Sequence, residues 1–220
     1  MSSPNSQPIY EMKPQGWWER VMVPKLICTC CGQPEIMHVR SKVVPLADGD
    51  VLELGCGGGI NLQLVEPAKI KSYSGLDPSP RLLDASRAAA QAKGLSADIR
   101  AGIGEAMPYA DASFDTVLVT FTLCSVENAA QTLSEIRRVL RPGGKALFAE
   151  HGRSPEADVV KWQRRIEPVW KRLSGNCHLT RAAQGAYRDA GFVLTGEGSK
   201  YMHKTPRPFG WVEWGEARPA

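Results

Sequence analysis

From Val51 to Glu150, short apolar runs alternate with segments of helical period. The runs Val51–Leu54, Ser72–Leu76, Ala97–Ile103, Thr116–Thr122 and Lys145–Glu150 predict strands. Between them, Ser79-Pro80 followed by Leu82, Leu83, Ala85, Ala89 and Ala90 and closed by Gly94 predicts a helix with a capping residue, a first-turn proline and a terminal glycine. Leu133, Ile136, Val139 and Leu140 predict another amphipathic helix, stopped by Pro142-Gly143-Gly144. Strand and helix repeating in this way imply a parallel sheet covered on both faces. The fold class is doubly wound α/β.

Outside that stretch the pattern changes. Residues 1–16 are polar, carry prolines and show no period, and so predict a loose arm. Trp17 to about Arg40 is helical in pattern but interrupted by Pro24 and Pro34, which suggests short covering helices. Beyond the sheet, Ser154-Pro155 opens a long helix on which Val159, Trp162, Ile166, Val169, Trp170 and Leu173 share helical spacing, with a kink at Pro168. Thr180 is read as the cap of a further helix ending at Gly191, followed by strands at Phe192–Gly196 and about Phe209–Ala217. No repeat or low-complexity tract is present. The chain reads as one domain, with an arm and helical cover over 1–45 and the α/β body over 46–220.

Composition narrows the classes. With 27 Lys+Arg against 23 Asp+Glu in 220 residues, the net charge is +4, too small a surplus to describe a nucleic-acid binder. The longest apolar stretch, Val117 to Val126, falls far below the ~20 residues of a membrane span. The N-terminus lacks a basic start followed by an apolar core, so no secretion signal is read and a cytoplasmic location is expected. There the six cysteines, Cys28, Cys30, Cys31, Cys56, Cys124 and Cys177, are expected as reduced thiols. The cluster at Cys28, Cys30 and Cys31 lacks the second ligand pair of a structural zinc site, and no metal is expected.

The chemistry begins where the first strand runs into Gly55-Cys56-Gly57-Gly58-Gly59. Glycines there let backbone approach a ligand, in the crevice at the carboxyl ends of the strands. A dinucleotide fingerprint would need glycine at position 60, where the chain has Ile60, so pyrophosphate recognition loses support. Glu53, just before the loop, would repel a phosphate and favour a cation. Asp77, at the end of the second strand, can accept hydrogen bonds from both ribose hydroxyls. The ligand inferred is a positively charged nucleoside without phosphate, a description that S-adenosylmethionine fits.

These residues carry a resemblance. Glu53-Leu54-Gly55-Cys56-Gly57-Gly58-Gly59 resembles motif I of the class I S-adenosylmethionine-dependent methyltransferases, and Gly75-Leu76-Asp77-Pro78-Ser79 resembles their acidic second-strand motif. Gly104-Glu105-Ala106-Met107-Pro108 with Ser113-Phe114-Asp115 is similar to the adenine-flanking motif, and Arg138 to Gly144 to the turn before the fifth strand. The resemblance implies a seven-stranded sheet whose last strand is antiparallel. It implies Asp77 on the ribose, Gly55 and Gly57 against the methionine part, and Gly104-Glu105-Ala106 beside adenine. The cofactor set it implies is Glu53, Gly55, Gly57, Gly59, Asn61, Asp77, Pro78, Gly104, Glu105, Ala106, Thr120 and Phe121. Many relatives hold the adenine amine with an Asp where this chain has Ile103, so backbone groups and packing would take that part here. The product implied is S-adenosylhomocysteine.

Methyl transfer from a sulfonium is an in-line displacement, so the protein mainly aligns the acceptor. The cover would set which acceptor fits, and Trp17, Trp18, Trp162 and Trp170 suggest an apolar or aromatic small molecule. Leu123-Cys124-Ser125-Val126-x-Asn128, Glu150-His151 and Pro168-x-Trp170 with Cys177-x-Leu179-Thr180-Arg181 are similar to the methyltransferase-like thiol S-methyltransferases. That resemblance implies a small thiol as acceptor. His151 is read as a base or orienting group, His178 as the second candidate. Cys124 and Cys177 are read as pocket wall, Trp18, Trp162 and Trp170 as lining, and Arg181 as a group that could attract an anionic acceptor. Ubiquinone and menaquinone methyltransferases share the same motifs. O-, N- or C-methylation of an aromatic or quinone-like metabolite, or of a phospholipid head group, is therefore the enzymatic alternative. A cofactor-binding protein without turnover is the other. Oligomeric state is not legible.

Overall fold

Alternate residues of the central strands are buried on opposite faces of one sheet, and the element order follows from covering both faces. In the computed structural model, residues 32–220 are described. The Trp17, Trp18, Cys28, Cys30 and Cys31 readings, with most of the arm and cover, lie outside them. The described chain runs α1 (Pro34–Arg40), β1 (Gly49–Leu54), β2 (Ile70–Asp77), α2 (Pro80–Ala92), β3 (Ala97–Ala101), β4 (Phe114–Thr120), α3 (Ala129–Val139), β5 (Leu140–His151), α4 (Ala157–Leu173), α5 (Ala183–Asp189), β6 (Phe192–Tyr201), α6 (Arg207–Gly210) and β7 (Trp211–Pro219). The strand order is β3-β2-β1-β4-β5-β7-β6. β1 to β5 are parallel, and β7 is antiparallel to both β5 and β6. This is the seven-stranded doubly wound arrangement with its last strand reversed.

On one face, Leu52, Leu54, Val117, Val119 and Phe148 pack with Leu133, Ile136 and Val139 of α3 and with Tyr187 of α5. On the other, Val51, Leu118, Leu147 and Ala149 pack with Ile36 and Val39 of α1 and with Leu83 and Ala90 of α2. Each such side chain removed from water contributes about 1.5–3 kcal/mol before entropy is charged against it. Because β1, β2, β4 and β5 are parallel and in register, the residues that follow them leave the sheet at one edge. At the opposite edge, Ser72 and Arg141 bond Asp50 at 2.6 and 2.7 Å, and Arg141 also reaches Asp115 at 2.8 Å, tying four strand starts together.

Several boundaries differ from the sequence reading, each for a local reason. Leu140 opens β5 rather than closing α3, and Pro142-Gly143-Gly144 is a bulge within that strand, across which the pairing jumps from Phe114–Leu140 to Thr116–Lys145. Gly143 adopts φ +80°, and a side chain at Gly144 would sit 3.0 Å from the Asp115 carbonyl, so the two glycines permit the bulge. Thr180 does not cap α5, which begins after Ala182 without a side-chain cap. Its backbone N–H and hydroxyl instead donate to Glu167 of α4, at 2.7 and 2.8 Å. Ser79 precedes α2 without a side-chain capping bond, and Pro34 begins α1 rather than interrupting it. Pro168 lies inside α4 without dividing it. β3 ends at Ala101, and β6 continues past Gly196 to Tyr201 through a bulge before Gly198.

Candidate active site

The loop after β1 and the end of β2 form the first half of the site. Gly55, Gly57 and Gly59 adopt φ of +69°, +50° and +79°. A Cβ at Gly57 would meet no atom within 4 Å, whereas one at Gly59 would lie 2.9 Å from Ala89 of α2. The Gly57 face of the loop is open, and the Gly59 face is packed. Asp77, the last residue of β2, accepts the Gly57 N–H at 2.9 Å and the Ser79 N–H at 2.8 Å. Burial raises its pKa above the ordinary carboxylate value while these two bonds oppose the rise.

Beneath the loop lies a buried polar network. The carboxylate of Glu53, 1% exposed, accepts from Asn61 Nδ2 at 2.9 Å and from the Tyr73 hydroxyl. Burial pushes Glu53 up to about 7 against the lowering effects of Tyr73, Arg40 and Asn61. Glu53 is thus held beneath the loop by Asn61 and Tyr73. Arg40, at the end of α1 and 4% exposed, donates Nη1 to Asn61 Oδ1 at 2.7 Å and to Thr120 Oγ1. Thr120 Oγ1 also accepts from Asn61 at 2.8 Å. The guanidinium stacks 4.9 Å from the Phe121 ring centre, and its Nε has no hydrogen-bond partner.

The second half of the site lies where β4 and β5 end. Phe121 takes φ +51°, a conformation uncommon outside glycine, and its ring meets that of His151 edge-on at 4.9 Å. Glu150, fully buried, accepts the backbone N–H groups of Thr122 and Leu123 at 2.9 Å each and of Cys124 at 3.1 Å. Burial pushes Glu150 up to about 7, and those three bonds hold it from rising further. His151 Nδ1 lies 4.0 Å from Cys177 Sγ, and its buried Nε2 has no partner. Cys124 and Cys177 are both buried, with the Cys124 sulfur 3.5 Å from the Ser125 hydroxyl.

Residues 52–148 match the family described as a methyltransferase domain. A thiol S-methyltransferase of Rattus norvegicus is 35% identical over 169 residues, 75% of this chain and 66% of that protein. A demethylmenaquinone methyltransferase of Deinococcus radiodurans is 38% identical over 115 residues, 52% of this chain and 45% of that one. The chain thus spans just under two thirds of the length of the thiol S-methyltransferase. Among solved structures, a putative methyltransferase of Bacillus halodurans superposes with a TM-score of 0.66 over 90% of this chain and 99% of its own, at 16% identity, a likeness of fold. The chain thus carries a methyltransferase domain.

In this chain the residues read from the sequence fall into two groups. Glu53, Gly55, Gly57, Asn61, Asp77, Thr120 and Phe121 converge around the loop, and His151, Cys124, Cys177 and His178 around the ends of β4 and β5. His178 donates its backbone N–H and Nδ1–H to the Cys124 carbonyl at 2.8 and 3.0 Å, so it ties two segments together. The Arg181 guanidinium donates to the carbonyls of Leu123 and Val126 and fixes the same loop. Trp170 packs on Phe209 with ring centres 4.7 Å apart, while Trp162 is 56% exposed beside Arg165, apart from the others. Glu105 accepts the Asn128 N–H at 3.0 Å at the start of α3, Ala106 pairs with Ile103, Gly104 packs against Thr132, and Pro78 is exposed.

Two residues of the site have no role in the sequence reading, Arg40 and Glu150, the second of them quoted only within the Glu150-His151 motif. Arg40 is a cation inside the apolar stripe Ile36, Val39, Val43, Val44, and that misfit was the available signal. Glu150 ends the apolar run Ala146–Ala149 and is the carboxylate that holds the loop after β4. Among the described residues no His, Cys, Asp and Glu cluster is arranged to hold a metal, and no helix is long and apolar enough to cross a membrane.

Proposed function

We propose that the protein transfers the methyl group of S-adenosylmethionine to a small thiol. The observation that carries the acceptor class is the match over three quarters of the chain to proteins named thiol S-methyltransferases. The cofactor reading rests on the family and on the local fit of the residues. Asp77 has acceptor capacity left at both carboxylate oxygens for ribose hydroxyls. The open face at Gly57 leaves room for the ligand. The orphaned Nε of buried Arg40 suits the carboxylate of an amino-acid part, with Asn61 and Thr120 fixing the guanidinium from below. Gly55 and Gly59 shape the loop. Pro78, Gly104, Glu105 and Ala106 are assigned to the adenine side.

When bound, the cofactor supplies an electrophilic sulfonium methyl group. The chain's own residues then have to hold the acceptor sulfur in line with it, and such alignment supplies about 7–11 kcal/mol of the barrier reduction. A free thiol of pKa ~8.5 is a few per cent thiolate near neutrality, so a base assists without being essential. His151 is assigned that role. Its buried, unpartnered Nε2 is available to take the proton of the acceptor thiol, while Phe121 and the Cys177 sulfur fix the ring. His178 and Arg181 are assigned to holding the loop that carries Cys124, and Cys124, Cys177 and Trp170 to the pocket wall.

The test is incubation of the purified protein with methyl-labelled S-adenosylmethionine and a panel of small thiols, phenols and quinols. Label on thiols supports the reading. Label confined to phenols or quinols overturns the thiol assignment, and tight cofactor binding without transfer to any acceptor overturns the catalytic one.

A further inference from the structure

Cys124 and Cys177 are arranged in a way that lining a pocket does not require. Cys124 follows β4, and Cys177 lies between α4 and α5. The segments are bound to each other on both sides of Cys177, by Asn176 Nδ2 to the Ser125 carbonyl at 2.9 Å and by the His178 N–H to the Cys124 carbonyl at 2.8 Å. The backbone bond from His178 to Cys124 brings the two segments to the close approach that a disulfide, with a Cα separation of roughly 4.4–6.8 Å, requires. Both side chains are buried, and His151 Nδ1 lies 4.0 Å from the Cys177 sulfur.

The two thiols are also chemically unequal. The neighbouring Cys124 thiol holds Cys177 well below the usual thiol range against the opposing effect of burial, with His151 and Trp170 adding to the lowering. The same pairing raises Cys124, as do burial and the Glu150 charge. Cys56, the other free cysteine among the described residues, is raised by burial and has neither a thiol nor an imidazole in contact with it. A thiol of lowered pKa beside one of raised pKa is the division between an attacking and a resolving cysteine.

We propose that Cys124 and Cys177 are a redox pair in the acceptor pocket, which hydrogen peroxide converts to a disulfide and a thiol reductant reopens. The Cys177 sulfur attacks one peroxide oxygen, the O–O bond breaks, and with a solvent proton the products are a sulfenic acid on Cys177 and water. Cys124 then attacks the Cys177 sulfur. The S–S bond forms, the S–O bond breaks, and the departing hydroxide takes the Cys124 proton as a second water. The pair loses two electrons and the peroxide gains them. The disulfide fixes the loop after β4 to the segment before α5 and takes the Cys177 thiol from beside His151, so methyl transfer slows. The inference relies on the proposed function only for the position of the acceptor pocket.

The full chain is treated with hydrogen peroxide under native conditions, blocked, digested and mapped by mass spectrometry, and transfer is measured before and after dithiothreitol. The expected result is a peptide linking Cys124 to Cys177 and a fall in transfer of roughly a hundredfold, the order a misplacement of about 1 Å costs, reversed by the reductant. In Cys124→Ser, Cys177 should proceed to the sulfinic acid and no link should form. Recovery of both cysteines as free thiols overturns the proposal, and so does a link without loss of transfer. If the reduced protein methylates a phenol instead of a thiol, the proposed acceptor fails while the mapping and the loss, read on that phenol, still decide the redox pair.

Discussion

The Glu150 carboxylate accepts the backbone N–H of Cys124 at 3.1 Å, so the last buried charge of β5 sets where the loop after β4 begins. The same carboxylate takes the N–H groups of Thr122 and Leu123, and together these bonds balance the cost of burying it. In Glu150→Gln one acceptor oxygen becomes a donor facing an N–H. The loss of stability should be roughly 1–3 kcal/mol, the cost of an unsatisfied buried polar group, and should appear as a lower midpoint in chemical denaturation. The kcat of transfer should fall while cofactor affinity stays close to that of the parent. An unchanged midpoint and kcat would refute the loop-holding role.

The pH dependence of stability should carry the mark of Glu53 and Glu150. Burial pushes each from 4.5 up to about 7, so the folded state binds these protons more tightly than the unfolded chain. The sign follows from linkage. Their stabilising contribution is complete below about 4.5 and is lost as pH rises through 7. Asp50 acts oppositely. Its pKa is lowered from 3.8 to about 2, chiefly by Ser72 and then Arg141, so its contribution is present above 3.8 and lost as pH falls through 2. Denaturation midpoints should decline between pH 5 and 8, and Glu53→Gln should flatten that decline. A midpoint that rises steadily to pH 8 would contradict the assignment.

Asp77 and Arg40 should separate the two ends of the cofactor. Loss of a charge-assisted hydrogen bond costs about 1.5–3 kcal/mol, so Asp77→Ala should weaken S-adenosylhomocysteine binding by roughly ten- to a hundredfold in calorimetry. Arg40→Gln should weaken it by a similar factor but leave 5′-methylthioadenosine, which lacks the amino-acid part, nearly unaffected. Equal losses for both ligands would place Arg40 in general support of the loop rather than on the carboxylate.

Much of this arrangement was legible in the chain, and the reasons for the rest are physical. Strands β1 and β4 announce themselves because both their faces are covered, which leaves near-continuous apolar runs such as Val117–Val119. Gly55, Gly57 and Asp77 were readable because spacing along the chain fixes their positions at the ends of adjacent strands. Partner identity was not readable. Thr180 has the chemistry of a cap, but Glu167 competes for it with a charged acceptor from another helix. The contact between Cys124 and Cys177 depends on bonds between loops that no local pattern encodes. Arg40 and Glu150 each look like one charge among apolar residues until their partners are known.

His151 should matter most where the acceptor is still protonated. If its Nε2 takes the acceptor proton, then His151→Asn should lower kcat near neutrality by roughly a hundredfold or more, the lower range for general acid–base catalysis. Near pH 9 the acceptor, with a pKa of about 8.5, is mostly thiolate without assistance, so the deficit should shrink to a few-fold. A residue that only packed on Phe121 would show the same deficit at every pH. Cofactor affinity supplies the control, since the ring contacts the acceptor end of the site and not the network of Arg40, Asn61 and Glu53. The pH profile of kcat for the variant against the parent, with a thiol acceptor held at saturation, therefore tells proton transfer from packing. A constant ratio across the range would remove His151 from the chemistry.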